Sequence, residues 1–149
     1  LVFQDMQNFV RMDSDGKTLE KVPLAALYGK SSGATSSDVC APCPTNPNLL
    51  AITFHVKGTK KFEDTFHEPV SSLFLYDRAA KKRKRIVPED MLVLDPVWSS
   101  DGKTIFFSGY RALHYLTGDP FQIYRISPDG AGLKALCKGV SPSVGPPSD

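Results

Sequence analysis

The sequence predicts an all-β protein built from repeated units of short antiparallel strands. Three observations predict it. Nearly the same turn is written three times: RMDSDGKTL from Arg11 to Leu19, WSSDGKTI from Trp98 to Ile105, and RISPDGAGL from Arg125 to Leu133. Apolar residues beside these turns follow the two-residue period of a strand, as in Ile105-Phe106-Phe107-Ser108. Helix-period segments are nearly absent; Pro23 to Tyr28 is one short helical turn.

Each turn joins two strands. The Asp-Gly pair predicts a two-residue hairpin turn, because glycine accepts positive φ at little cost. Val10 to Gly16 runs on to Leu19 and Val22, and Tyr124 to Gly130 runs on to Leu133 and Leu136 at the same offsets. Between them Phe74 to Ala80 runs on to Arg83 and Ile86 without the glycine, so its turn is expected to be of another type or longer. A second module, Pro then strand, turn and apolar strand, precedes the last two copies at Ala41–Phe54 and Asp95–Ser108.

Combining the modules gives a unit of four strands, A to D, with turns at A-B and C-D. The copies at Gly16, Ala80 and Gly130 lie 64 and 50 residues apart. That exceeds the ~40–45 residues of a usual four-stranded propeller blade, and the surplus falls mainly between B and C. The predicted organisation is a partial blade at 1–27, a Gly/Ser-rich linker at 28–37, a blade at 38–90, a blade at 91–138 and the start of another at 139–149. One blade cannot bury both faces of its sheet, so blades must pack side by side. About two complete blades cannot close a ring of 4–8, so a larger ring is expected, either in a longer polypeptide or between several chains.

VWSSDGKTIFFSG followed by QIYRISPDGAGLKAL resembles the repeat of TolB-type β-propellers. The likeness is specific over Trp98–Phe107 and Gln122–Leu136, weaker over Met12–Val22, and degraded at Ala41–Phe54, where Pro47-Asn48 replaces Asp-Gly. The resemblance implies a periplasmic, secreted or envelope setting. It implies a scaffold that binds a protein partner, the remaining blades or other subunits of a complex, without catalysis of its own. The alternative is the propeller part of a serine peptidase or a c-type haem redox protein, whose active site would lie mostly outside these residues. No Gly-x-Ser-x-Gly elbow is present, and no cofactor is implied.

In up-and-down blades the long B-C and D-A connections share one end, where loops on a rigid scaffold usually bind. The candidate partner-binding residues are Lys60, Glu63, Asp64, His67 and Glu68 in one B-C connection, with Tyr110, Arg111, His114, Tyr115 and Asp119 in the next. Lys61 stands among the first set. His67 and His114 hold similar positions, and His55 ends a strand nearby. Imidazole and carboxylate suit zinc or iron, although no spacing demands a metal.

Other features have plainer readings. Asp13-Ser14-Asp15-Gly16 with Glu20 is too short for an EF-hand loop, and the repeat explains its Asp-Gly. Lys81 to Arg85 is a basic run, but it falls on a C-D turn and an outer strand, where charge discourages edge pairing. A net charge of +2 gives no case for nucleic acid, and no apolar run reaches a membrane span. Cys40 and Cys43 form a lone CxxC without the second pair of a zinc ribbon, and Pro44 stands where haem attachment needs His. A Cys40–Cys43 disulfide, two free thiols, and a pairing of one with Cys137 are all compatible with the residues.

Overall fold

A computed structural model describes residues 1–5, 7–29, 35, 38–56, 70–111 and 121–145. Among them the strands are β1 (Val2–Gln4), β2 (Asn8–Met12), β3 (Thr18–Pro23), β4 (Cys40–Pro42), β5 (Leu49–Val56), β6 (Val70–Asp77), β7 (Lys82–Arg85), β8 (Met91–Trp98), β9 (Ile105–Arg111), β10 (Gln122–Ile126) and β11 (Lys134–Lys138). One short helix, α1 (Leu24–Tyr28), follows β3 where the sequence expects a helical turn. The strands form three antiparallel sheets in chain order: β1-β2-β3, β4-β5-β6-β7 and β8-β9-β10-β11. No barrel closes.

The middle sheet shows why these residues make strands. β5 and β6 pair over eight residues, from Leu49 opposite Asp77 to Val56 opposite Val70. Leu50, Ile52 and Phe54 point to one face, and Ala51 and Thr53 to the other; all are buried. A strand covered on both faces needs a near-continuous apolar run rather than strict alternation. One core packs Phe9, Leu24, Leu27 and Tyr28 of the first sheet and α1 against Leu50, Ile52 and Phe54. The other packs Ala51 and Leu73 against Met91, Val93, Trp98, Ile105 and Phe107 of the third sheet. Full burial of each such side chain contributes roughly 1.5–3 kcal/mol, so the sheets hold one another by their faces.

The repeated turns are longer than the two-residue hairpins expected. Asp13 N–H donates to Lys17 O at 3.0 Å and Gly16 N–H to Asp13 O at 3.4 Å. Ser127 and Gly130 make the matching bonds to Ala131 O and Ser127 O, both at 2.9 Å. These are three-residue loops in which a tight turn ends in one left-handed residue, the glycine. Asp13 Oδ1 accepts the Asp15 and Lys17 amides, and Asp129 Oδ1 accepts the Ala131 amide. The Asp therefore caps its own turn. The copy without glycine is indeed of another type: Asp77 pairs with Lys82, and Lys81 takes φ +51°.

After β11 the chain turns back. Ser141 N–H donates to Ser108 Oγ at 2.6 Å and its hydroxyl to Asp95 Oδ2 at 2.9 Å. Asp95, with φ +50°, sits where β8 breaks register with β9 between Leu94 and Val97.

Candidate functional site

The candidate loop residues divide into those the structure describes and those it does not. Lys60, Glu63, Asp64, His67, Glu68, His114, Tyr115 and Asp119 lie outside the described residues. Tyr110 and Arg111 lie within them, at the end of β9. Tyr110 is 3% exposed, packs with Leu92, and meets the Phe121 ring edge-on at 4.9 Å. It belongs to the core rather than to a binding surface. Arg111 grips the Asp90 carboxylate through Nε at 2.9 Å and Nη2 at 2.7 Å, which fixes the start of β8 to the end of β9.

Cys40 and Cys43 are free buried thiols. The reason is strand geometry. Side chains three apart on extended backbone point to opposite faces. Cys40 packs with Leu50 and Ile52 toward the first sheet, while Cys43 packs with Trp98 toward the third. Burial pushes the Cys40 thiol up to about 12. Cys137 is free and exposed on the edge strand β11.

Three residues of the largely exposed basic run make defined contacts. The Arg83 guanidinium lies 4.5 Å above the Phe54 ring and donates to Leu27 O at 3.1 Å, at the end of α1. Lys84 Nζ reaches the other way, to Asp129 O at 3.0 Å in the third sheet. Arg85 Nη2 donates to Glu89 O at 3.2 Å. Consecutive residues of one outer strand, Arg83 and Lys84, thus hold two different neighbours.

One cleft, and a buried polar pair at its margin, stand out. An apolar cleft of about 630 Å³ lies along the first strands of the sheets, lined by Phe3, Phe9, Pro42, Pro96, Trp98 and Val144 among others. Asp38 also lines this cleft, and its Oδ1 lies 3.3 Å from His55 Nδ1. Their separation is that of an ion pair, yet neither atom has a hydrogen-bond partner among the described residues. The Asp38 side chain is wholly buried and that of His55 is 18% exposed. No group of three or more His, Cys, Asp or Glu side chains gathers among the described residues.

No protein-family model matches the sequence, and no curated protein matches it. The fold does match solved structures. Against a protein of Agrobacterium tumefaciens assigned as TolB, the TM-score is 0.52 at 17% identity, covering 89% of this chain and 42% of that one. Against TolB from Acinetobacter baumannii it is 0.51 at 19% identity, covering 89% of this chain and 27% of that one.

The fold is that of TolB-type propeller blades. This chain spans less than half the length of either structure. Among the described residues three sheets are present, fewer than the 4–8 blades of a closed propeller.

In blade terms, β4 and β8 are the inner A strands, and β7 and β11 the outer D strands. The apolar cleft therefore runs along the inner edges of the blades. Asp38 stands on a D-A connection, and His55 at the outgoing end of strand B. His55 was legible from the sequence as a loop-end histidine. Asp38 was not, because it meets His55 only when β4 pairs with β5, Cys40 opposite Ile52. A polar residue just ahead of an apolar A strand was the available signal. Among the described residues no helix is long and apolar enough to cross a membrane.

Proposed function

We propose that this arc of propeller blades is a scaffold that binds a protein partner, within a larger envelope or secreted protein, and has no catalytic machinery of its own. The observation that carries this reading is the contrast between the two ends of the blades. The turn end is spent on structure: Asp13, Asp101 and Asp129 cap their own turns, and Thr45 Oγ1 contacts Asp101 O at 3.5 Å between neighbouring blades. The other end carries the long B-C connections, which differ in sequence and length from blade to blade. The binding residues we assign there are Lys60, Glu63, Asp64, His67 and Glu68, with Arg111, His114, Tyr115 and Asp119. The envelope setting is carried by the likeness to TolB-type blades.

Site-specific photo-crosslinking in the native full-length protein tests this. A crosslinker replacing Glu63, in the B-C connection, is expected to give a discrete protein adduct. One replacing Ala79, on a C-D turn, is expected to give none. Equal adducts from both ends, or none from Glu63, would sink the reading.

A further inference from the structure

We propose that two copies of this chain join head to tail in one ring of blades, the segment after β11 of each copy supplying the inner strand that the other's first sheet lacks.

The second and third sheets have four strands each, and the first has three. Equivalent residues identify the absent one. Val10, Phe74 and Tyr124 hold the same offset before the C-D turn, and their partners are Phe3, Ile52 and Phe107. So β1 is a B strand, like β5 and β9, and the first sheet has no inner A strand. Its inner edge is open. Leu1 and Met12 exchange both backbone hydrogen bonds at 2.9 Å. Alternation along the strand then turns the N–H and C=O of Val2 toward the open edge.

The segment after β11 has the shape of an A strand, yet it is paired in none of the three sheets. Ser141 takes φ +53° directly before Pro142, as Asp95 takes φ +50° directly before Pro96 in β8. Positive φ is rare outside glycine, so the match is informative. The Ser141 hydroxyl donates to Asp95 Oδ2 at 2.9 Å and sets the segment beside β8, as the Trp98 indole sets β8 beside β4. Val144 follows Ser141 at the distance at which Trp98 follows Asp95.

The two outer faces of the arc repeat the contacts made inside it. Leu50 and Ile105 are buried against the preceding blade, while their counterpart Leu1 is 79% exposed. Ile52 and Phe107 are buried in the same way, and their counterpart Phe3 is 38% exposed. On the other face Val22 and Ile86 pack against the following blade, while their counterpart Leu136 is 47% exposed. Every exposed large hydrophobic side chain among the described residues lies in the first sheet or from β11 onward. A terminal repeat with nothing beyond it carries a polar outer face. Here one face is built to meet a preceding blade and the other to meet a following one.

The blade count selects a second copy. Three sheets, with the added inner strand, are three blades: one copy falls short of the 4–8 of a closed propeller, three copies exceed it, and two copies of three give six. A head-to-tail contact generates a ring when its rotation closes, and in this dimer it is made twice.

The pairing has a register. Val144 lies opposite the partner's Leu1, as Trp98 lies opposite Ile105. Leu1 directs its backbone bonds to β2, so this is a non-hydrogen-bonded pair, with Cα atoms about 4.5 Å apart and within disulfide reach.

The chain of residues 1–149 carrying Cys137→Ser tests the proposal. Light scattering after size exclusion is expected to give twice the mass of one chain. With Leu1→Cys and Val144→Cys added, mild oxidation is expected to give a covalent dimer that reduction reverses, and neither substitution alone is expected to crosslink. Leu136→Asp should keep its β circular dichroism and weaken association at least ~10-fold, since it buries a charge on the receiving face. The mass of the Cys137→Ser chain decides if a further variant does not fold. A monomer at every concentration would overturn the proposal and leave the open edge to a strand of a longer polypeptide. A dimer that does not crosslink, or a ladder of open oligomers, would overturn it as well.

Discussion

The Trp98 indole N–H donates to the Ala41 carbonyl at 2.8 Å, joining the A strand of one blade to the A strand of its neighbour. The ring is 7% exposed and packs in the core between the two sheets. Trp98→Phe keeps most of the packing and removes the donor, leaving a carbonyl unpaired. The expected loss is about 1–2 kcal/mol, and about 3–5 kcal/mol for Trp98→Ala, read as the shift in urea unfolding. Equal losses in the two variants would mean that the hydrogen bond, not the ring, holds the blades.

The A-B turn at Gly102 packs closely against the neighbouring blade. Gly102 has φ +69°, and a Cβ there would stand 2.2 Å from Thr45 Oγ1 and 2.9 Å from Cys43 Sγ. Gly16 has φ +82° with nothing within 4 Å of such a Cβ. Gly16→Ala should therefore cost only backbone strain, about 1–2 kcal/mol. Gly102→Ala should cost clearly more, because a neighbouring blade must move. Thermal melts of the two variants side by side check the order.

Within the basic run, position should matter more than charge. Arg83→Gln removes the guanidinium above Phe54 and the bond to Leu27 O, for an expected loss of about 1–2 kcal/mol. Lys82→Gln, on the same exposed strand, should stay within about 0.5 kcal/mol. Urea denaturation distinguishes them; matching losses would return the run to a diffuse charge effect.

The thiols give a kinetic and a pH signature. Under native conditions a thiol reagent should label Cys137 fast and Cys40 and Cys43 only after unfolding. Burial pushes the folded Cys40 thiol up to about 12, from 9.0 unperturbed. The unfolded state therefore loses its proton first. Its contribution to stability is whole below pH ~9 and is lost as pH rises toward 12, at roughly 1.4 kcal/mol per pH unit. Cys40→Ala should flatten the alkaline limb of stability against pH; an unchanged slope would assign that limb to other groups.

The sequence alone determined the repeat and its punctuation. Turn chemistry is local: Asp caps its own loop, and glycine takes the left-handed position within three residues. The strands beside the turns declare themselves by their period, and Pro23 to Tyr28 is read as one short helical turn. The sequence also held, unread, the separation of Cys40 from Cys43, since an offset of three on a strand means opposite faces. Only the tertiary structure decided what the non-local residues do. It buried Tyr110, sent Arg83 and Lys84 to different neighbours, and brought Asp38 to His55. Those outcomes depend on sheet pairing and on which face meets which blade. Such contacts join residues 17 to 56 apart, and no local pattern records them.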